Sequence, residues 1–229
     1  MTQEHSKLFL GAAGSTSVQI SLQGVPSSTG AIVNYITLPG NNPKTNGNHV
    51  YVWQTTDNIV PWNKAPDGDT AVPTDSSSST FQAKFAFEDK GYIVGYGVAP
   101  TPNAVVSTIY MPAGQQNNPA QWQYGALSTQ IVYVGTNLVQ VKYNGLSLYQ
   151  PATNKNWVGL WMGAQVPWSG DPIKIVNVTQ DAPPSGYLII DGISLLIGVS
   201  YVVGYFVVEP KTGRTALAAA SSFTVGMQL

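Results

Sequence analysis

A chain that repeats itself once builds its fold from two copies of one unit, and this sequence repeats itself. Residues 31–53 lie over residues 139–161 without a gap. Within that block Tyr35/Tyr143, Pro43/Pro151, Thr45/Thr153, Asn46/Asn154, Asn48/Asn156, Val50/Val158 and Trp53/Trp161 coincide. Two further blocks follow in the same order: Val60-Pro61-Trp62 over Val166-Pro167-Trp168, and Gly91–Tyr96 over Ser200–Tyr205. The spacing between blocks shifts only slightly, so the chain is an internal duplication. Each unit is about 100 residues long, the size of one ordinary domain.

Each unit reads as short alternating apolar and polar runs set between Gly, Pro, Asn and Asp clusters, with no helical period of useful length. The sequence predicts strands over 16–23, 31–38, 48–55, 80–88, 91–99 and 104–111 in the first unit. In the second it predicts 129–134, 138–143, 156–162, 173–178, 186–197, 200–208 and 217–226. Six or seven short strands per unit describe an all-β chain of two tandem immunoglobulin-like β-sandwich domains. The expected division is 1–111 for the first repeat, 112–126 for a linker carrying Gln115-Gln116-Asn117-Asn118-Pro119, and 127–229 for the second repeat.

One segment imitates a membrane span. Tyr187–Val208 is long enough to cross a bilayer and contains a single charge, Asp191. Its counterpart in the first unit decides against a helix. There Phe81, Phe85 and Phe87 alternate with Gln82, Lys84 and Glu88, then Glu88-Asp89-Lys90-Gly91 forms a turn and Tyr92, Val94 and Tyr96 resume the alternation. By homology of the units, 187–208 is expected to be a hairpin, with Ile189, Ile193, Leu195 and Ile197 on one face, and the chain to carry no transmembrane segment. Its greater apolarity asks for a cover, either the sister domain, another subunit or lipid.

The second unit resembles the SKICH-type immunoglobulin-like sandwich in three stretches: Asn156-Trp157-Val158-Gly159-Leu160-Trp161, Tyr201-Val202-Val203-Gly204-Tyr205-Phe206 and the Leu217–Val225 run, which contains Ser221-Ser222-Phe223. The first unit departs from that pattern, with Tyr51 where Gly159 stands and Ile109 where Phe223 would align. The resemblance implies a sandwich that serves as an adaptor or targeting module rather than an enzyme.

Composition narrows function further. Ten Lys+Arg against 11 Asp+Glu give a net charge of −1, with only 9% of residues charged and Arg214 the sole arginine. That cannot neutralise a phosphate backbone, so nucleic acid is not an expected partner. The absence of cysteine removes disulfide frameworks, thiolate metal sites and cysteine nucleophiles together. At the N-terminus, Leu8–Ala13 is too short and glycine-containing for a secretory signal. The expectation is cytoplasmic synthesis with the final compartment open.

Catalytic chemistry finds little to use. His5 and His49 are the only histidines, and His49 aligns with Trp157, a position that does without a titratable group. No Gly-x-Ser-x-Gly elbow, phosphate loop or dinucleotide fingerprint occurs, so an enzyme is not expected. Asp67-Gly68-Asp69 with Asp75 is an oxygen-rich stretch and a weak calcium candidate, though its spacing departs from the calcium-loop pattern. No other cofactor is implied.

Aromatics and amides carry the stronger signal. Six Trp and 12 Tyr accompany many Asn and Gln, several of them in predicted loops. Trp62, Trp122, Tyr124, Asn154, Asn156, Trp157 and Trp168 are the candidate ligand-binding residues, with Trp122 and Trp157 expected to be exposed. Flat rings facing sugar C–H groups, with amides for hydroxyls, suit neutral carbohydrate. The leading expectation is therefore a lectin-like, non-enzymatic glycan-binding protein. A self-assembling structural or storage-type protein that associates with its own copies through 187–208 is the first alternative, a homo-oligomer. A membrane-active, toxin-like module is the second.

Overall fold

The computed structural model describes residues 8–10, 14–210 and 214–227. His5 and most of the N-terminal stretch read against a signal lie outside them. Seventeen strands and two short 3-10 turns make up the regular structure of the described residues. In the first unit β1 (Leu8–Leu10) and β2 (Gly14–Ser17) lead into β3 (Gln19–Ser27), β4 (Gly30–Ile36), β5 (His49–Gln54), β6 (Gly68–Ala71), β7 (Ser78–Ala83), β8 (Tyr92–Gly97) and β9 (Val105–Met111). Then β10 (Gln123–Ala126) leads into β11 (Ser128–Val134), β12 (Leu138–Asn144), β13 (Trp157–Met162), β14 (Lys174–Asn177), β15 (Gly186–Asp191), β16 (Ser200–Phe206) and β17 (Leu217–Met227). The expected linker, 112–126, thus carries a 3-10 turn over Pro119–Gln121 and the strand β10.

Both units have the same topology. A three-stranded sheet, β3-β4-β7 or β11-β12-β15, accompanies a larger one ordered β6-β5-β8-β9 or β14-β13-β16-β17. This is the two-sheet sandwich with immunoglobulin-like order. Alternation explains the inner faces: along β12 Val139, Val141 and Tyr143 are buried while Leu138, Gln140, Lys142 and Asn144 are half-exposed. Between the sheets Tyr35 stacks on Tyr96 with ring centroids 5.3 Å apart, and the equivalent Tyr143 lies 5.4 Å from Tyr205.

The 187–208 hairpin is corrected. β15 pairs with β12, whereas β16 pairs with β13 and β17, so the two strands lie in opposite sheets and the chain crosses the sandwich between them. The inward face of β15 is also the other one, Leu188 and Ile190, with Tyr187, Ile189 and Asp191 turned outward. This places Asp191 in water, where a carboxylate belongs. β7 and β8 divide between the sheets in the same way. No helix among the described residues is long and apolar enough to cross a membrane.

The short strands β2 and β10 precede their units' first sandwich strands, yet each joins the other unit's larger sheet. β2 pairs with β17 through Ser17↔Ala219, Thr16↔Ala220, Ser15↔Ser221 and Gly14↔Ser222. β10 pairs with β9 through Ala126↔Ser107, Gly125↔Thr108, Tyr124↔Ile109 and Gln123↔Tyr110. Just beyond each, the Val18 N–H donates to Ala218 O and the Leu127 N–H to Val106 O, at 3.2 and 2.8 Å. The two units exchange leading strands in matching register. Reciprocal contacts of this kind, i with j and j with i, are the mark of an approximate two-fold relation.

Candidate functional site

The outer face of each larger sheet carries bulky side chains that a lone sandwich would leave wet. In the first unit these are Tyr51, Trp53, Ile93 and Tyr110, buried in a cluster with Val60 and with Leu146 and Tyr149 of the second unit. In the second unit Trp157 stacks on Phe206 at 4.0 Å and 6°, and Trp161 lies beside them. The indole N–H of Trp53 donates to Lys64 O, and that of Trp161 to Gly170 O, the equivalent carbonyl of its own covering loop.

Those covering loops hold the Val-Pro-Trp blocks, and they meet the opposite unit symmetrically. The Trp62 Nε1–H donates to Ser147 O at 2.9 Å, and the Trp168 Nε1–H donates to Pro39 O at 2.8 Å. Residues 39 and 147 are themselves equivalent in the duplication. Trp62 also packs on the Tyr149 ring at 4.9 Å. Where Trp168 lands, Gly40 has a φ of +80° and a Cβ there would stand 2.6 Å from the indole nitrogen, so the close approach needs glycine. Both tryptophans are half-buried braces between the units.

Beside each brace lies a pocket, and the two pockets occupy equivalent places. The first has about 340 Å3 and is lined by Asn58, Thr108, Tyr110, Gln123, Tyr124 and Ser147 among others, none of them charged. Asn58 Nδ2 donates to Gln123 Oε1 at 2.6 Å, tying the covering loop to β10. The Asn58 carbonyl oxygen and the Gln123 amide nitrogen keep no partner among the described residues, so one acceptor and one donor remain for a ligand. Tyr124 is 59% exposed on β10 at this pocket. The Tyr110 hydroxyl donates to Thr56 O at 2.8 Å, and burial, followed by the nearby Asp57 charge, pushes its ionisation above the ordinary phenol range.

The second pocket, about 220 Å3, sits against β2 and β17. Its walls include Leu38, Val166, Val202, Leu217 and Ala220. By register, Ala220 stands where the first has Thr108, Ser222 where it has Tyr110, and Ser15 where it has Tyr124.

The remaining residues singled out from the sequence are dispersed. Trp122 is buried, 7% exposed, with its indole N–H donating to Gln115 O. Trp157 is wholly buried and donates to Val208 O. The expectation that these two are exposed is corrected: each indole N–H has a carbonyl partner and each ring lies in the core cluster, Trp157 stacked on Phe206. Asn156 is buried at the start of β13, its Oδ1 accepting from the Tyr149 hydroxyl and its Nδ2 donating to the Tyr205 hydroxyl. Asn154 Nδ2 donates to Gln150 O, closing its own turn. Of the carboxylates, Asp67 accepts from the Gln54 N–H and Lys64, and Asp75 accepts from the Thr45 N–H and hydroxyl. Asp69 lies 3.9 Å from His49. No group of three or more His, Asp or Glu able to hold a metal occurs among the described residues. Sequence reasoning missed Asn58, Gln123, Thr108 and Tyr110 as a set. Only the strand exchange brings them together, and no local pattern signals it.

No family model matches the chain, and no curated protein matches it. Among solved structures it is similar to a two-domain fibronectin type III segment of chicken tenascin, at 13% identity over 85% of this chain and 92% of that one, with a TM-score of 0.23. It is also similar to trypsin-activated alpha-2-macroglobulin from Escherichia coli, at 9% identity over 97% of this chain and 17% of that one, with a TM-score of 0.31. The strand order itself defines the class: an all-β protein of two tandem immunoglobulin-like sandwiches.

Proposed function

We propose that the protein is a non-catalytic, lectin-like binding module that takes a neutral, hydroxyl-rich ligand, a glycan, in the polar pocket beside Trp62. The observation that carries this reading is the Asn58–Gln123 amide pair, which lines an uncharged pocket beside the exposed Tyr124 and keeps one acceptor and one donor without a partner among the described residues. An amide pair can both accept from and donate to vicinal hydroxyls, and a tyrosine face suits the apolar side of a sugar ring. No lining side chain is charged, as suits a neutral ligand.

The reading is tested by titrating the protein with a panel of neutral mono- and oligosaccharides and following backbone amide NMR shifts. The expected result is saturable shifts at Asn58, Thr108, Gln123 and Tyr124. Tyr124→Ala and Asn58→Ala should each weaken binding about tenfold or more, equivalent to ~1.4 kcal/mol. Both side chains are exposed, so folding survives the changes. Absence of saturable shifts across the panel overturns the reading.

Self-association is a second reading, favoured by a specific observation. Tyr133 on β11, Tyr187 and Ile189 on β15, and Leu196 and Ile197 beyond it are all exposed. Light scattering against concentration separates the two: Tyr187→Lys with Ile189→Lys should abolish any oligomer and leave sugar binding unchanged.

A further inference from the structure

Duplication gave this molecule two pockets in equivalent places, and their linings have diverged in chemistry. Both are framed by an exchanged leading strand, the partner unit's last strand, the Val-Pro-Trp loop and the segment containing Leu38 or Leu146. In the polar pocket the β9 wall is Thr108 and Tyr110; in its twin the β17 wall is Ala220 and Ser222. Asn58 gives way to Ala164, Ser147 to Pro39, and Gln123 to Gly14. Every one of these exchanges removes a side-chain amide, hydroxyl or ring, or shortens it.

We propose that this second pocket is a separate binding site for a small, uncharged apolar molecule, an aromatic ring or the end of a short aliphatic chain. Its floor is Leu38, Val166, Val202, Leu217 and Ala220, each less than a tenth exposed. Its rim is exposed: Ser15 and Thr16 on one side, Ala164 and Gln165 on the other. An apolar floor under an open rim admits a ligand from water and leaves water poorly bound inside, because a buried water needs two to four polar partners. At about 220 Å3 the cavity exceeds the roughly 150 Å3 in which an apolar protein cavity already holds benzene. A sugar is disfavoured here, since its hydroxyls would lose water against methyl groups. Transfer of apolar ligand surface out of water supplies the binding free energy. Occupancy of this pocket is independent of glycan binding, because no lining residue is shared between the pockets.

The test uses the whole chain with methyl-labelled Leu, Val and Ala, titrated with benzene to its solubility limit and examined separately under xenon pressure. Saturable shifts are expected at the methyls of Leu38, Val166, Val202, Leu217 and Ala220, with none at Val60 and Leu146 of the polar pocket. Ala164→Phe places a ring at the exposed rim and should weaken benzene binding at least tenfold, and Ala220→Leu should do so by filling the floor. Ala164→Phe alters only an exposed position, so it remains informative if Ala220→Leu fails to fold. Shifts that never saturate, shifts spread over the core, or saturable shifts undiminished by Ala164→Phe would overturn the proposal. A failed sugar titration leaves it standing, and a failed benzene titration leaves the glycan reading standing.

Discussion

At the scale of single residues, the duplicated positions are mostly structural, and the duplication itself explains why they repeat. Asn48 and Asn156 are buried at the starts of β5 and β13, each bonded to the tyrosine hydroxyl of the neighbouring strand, Tyr96 or Tyr205. Asn156 is paired at both its amide atoms, and leaving such a buried group unpaired costs about 1–3 kcal/mol; Asn48 is held through its Oδ1 alone, its Nδ2 being buried with no partner among the described residues. The sequence read Asn156 as a ligand contact because an Asn-rich loop and a buried clamp look alike without the partner strand. Thr45 and Thr153 repeat for a related reason. Thr45 offers its N–H and hydroxyl to Asp75, and Thr153 does the same for Asp181. The Thr45 N–H, then its hydroxyl and the charge of Lys44, hold the Asp75 carboxyl below the usual carboxylate range despite some loss of hydration. The Thr153 hydroxyl and N–H do so for Asp181. A depressed folded value means that stabilisation is complete above the unfolded value, about 3.9, and is lost as pH falls through the folded one. Melting temperature should therefore fall as pH drops from 5 to 3, and the fall should be shallower in the Asp75→Asn, Asp181→Asn double variant. Identical slopes in the two proteins would remove these loops from the acid response.

At the scale of elements, strands that bury a side were legible and strands that only close an edge were not. The expected strands 48–55, 104–111, 138–143 and 200–208 each meet an observed one within two residues at either end, because one or both faces carry apolar side chains into a core. β6, Gly68–Ala71, has no such face, with burial alternating only between half-exposed and exposed, and its Asp67-Gly68-Asp69 sequence reads as a cation loop. β2 and β10 were equally hidden. Gly14-Ser15-Thr16-Ser17 has no apolar alternation, and its place in the fold is set by a partner some 200 residues away in sequence. Its role is to cover the edge of β17, an eleven-residue strand that would otherwise present unpaired backbone groups to another chain. Ser15 adds a 2.6 Å bond from its hydroxyl to Thr129 O. Removal of residues 1–17 should thus have two consequences. The melting temperature should fall by about 5–10 °C, the equivalent of roughly 2–3 kcal/mol for a chain of this size. The truncated protein should also self-associate in size-exclusion chromatography with light scattering, while the full chain under the same conditions does so less. An unchanged melting point and mass would mean that β17 needs no cover.

At the scale of the whole molecule, the sequence suggests two beads on a linker, and the contacts describe something more closed. Each larger sheet borrows its edge strand from the opposite unit, the outer face of the first unit's larger sheet is covered partly by Leu146 and Tyr149 of the second, and each Val-Pro-Trp loop bonds to the opposite unit's backbone. This accounts for aromatic outer faces in a protein with so few charges. Tyr51, Trp53 and Tyr110 are outward for their own sandwich and inward for the pair. Periodicity within one unit cannot distinguish the two cases, because the same alternation serves a face covered by a sister and a face left in water. If the units complete each other, neither should stand alone. Cutting the gene after the exposed Asn117 leaves β10 on the second fragment and β9 on the first, with β2 and β17 divided likewise. Expressed separately, each fragment exposes one unpaired sheet edge and one uncovered aromatic face, and should aggregate or unfold at low temperature. Expressed together, the two fragments should co-purify as a one-to-one complex with a single cooperative melt, since every exchanged contact can form between chains. Two fragments that are each monomeric, cooperatively folded and indifferent to the other would show that the exchange is an ornament on two independent domains.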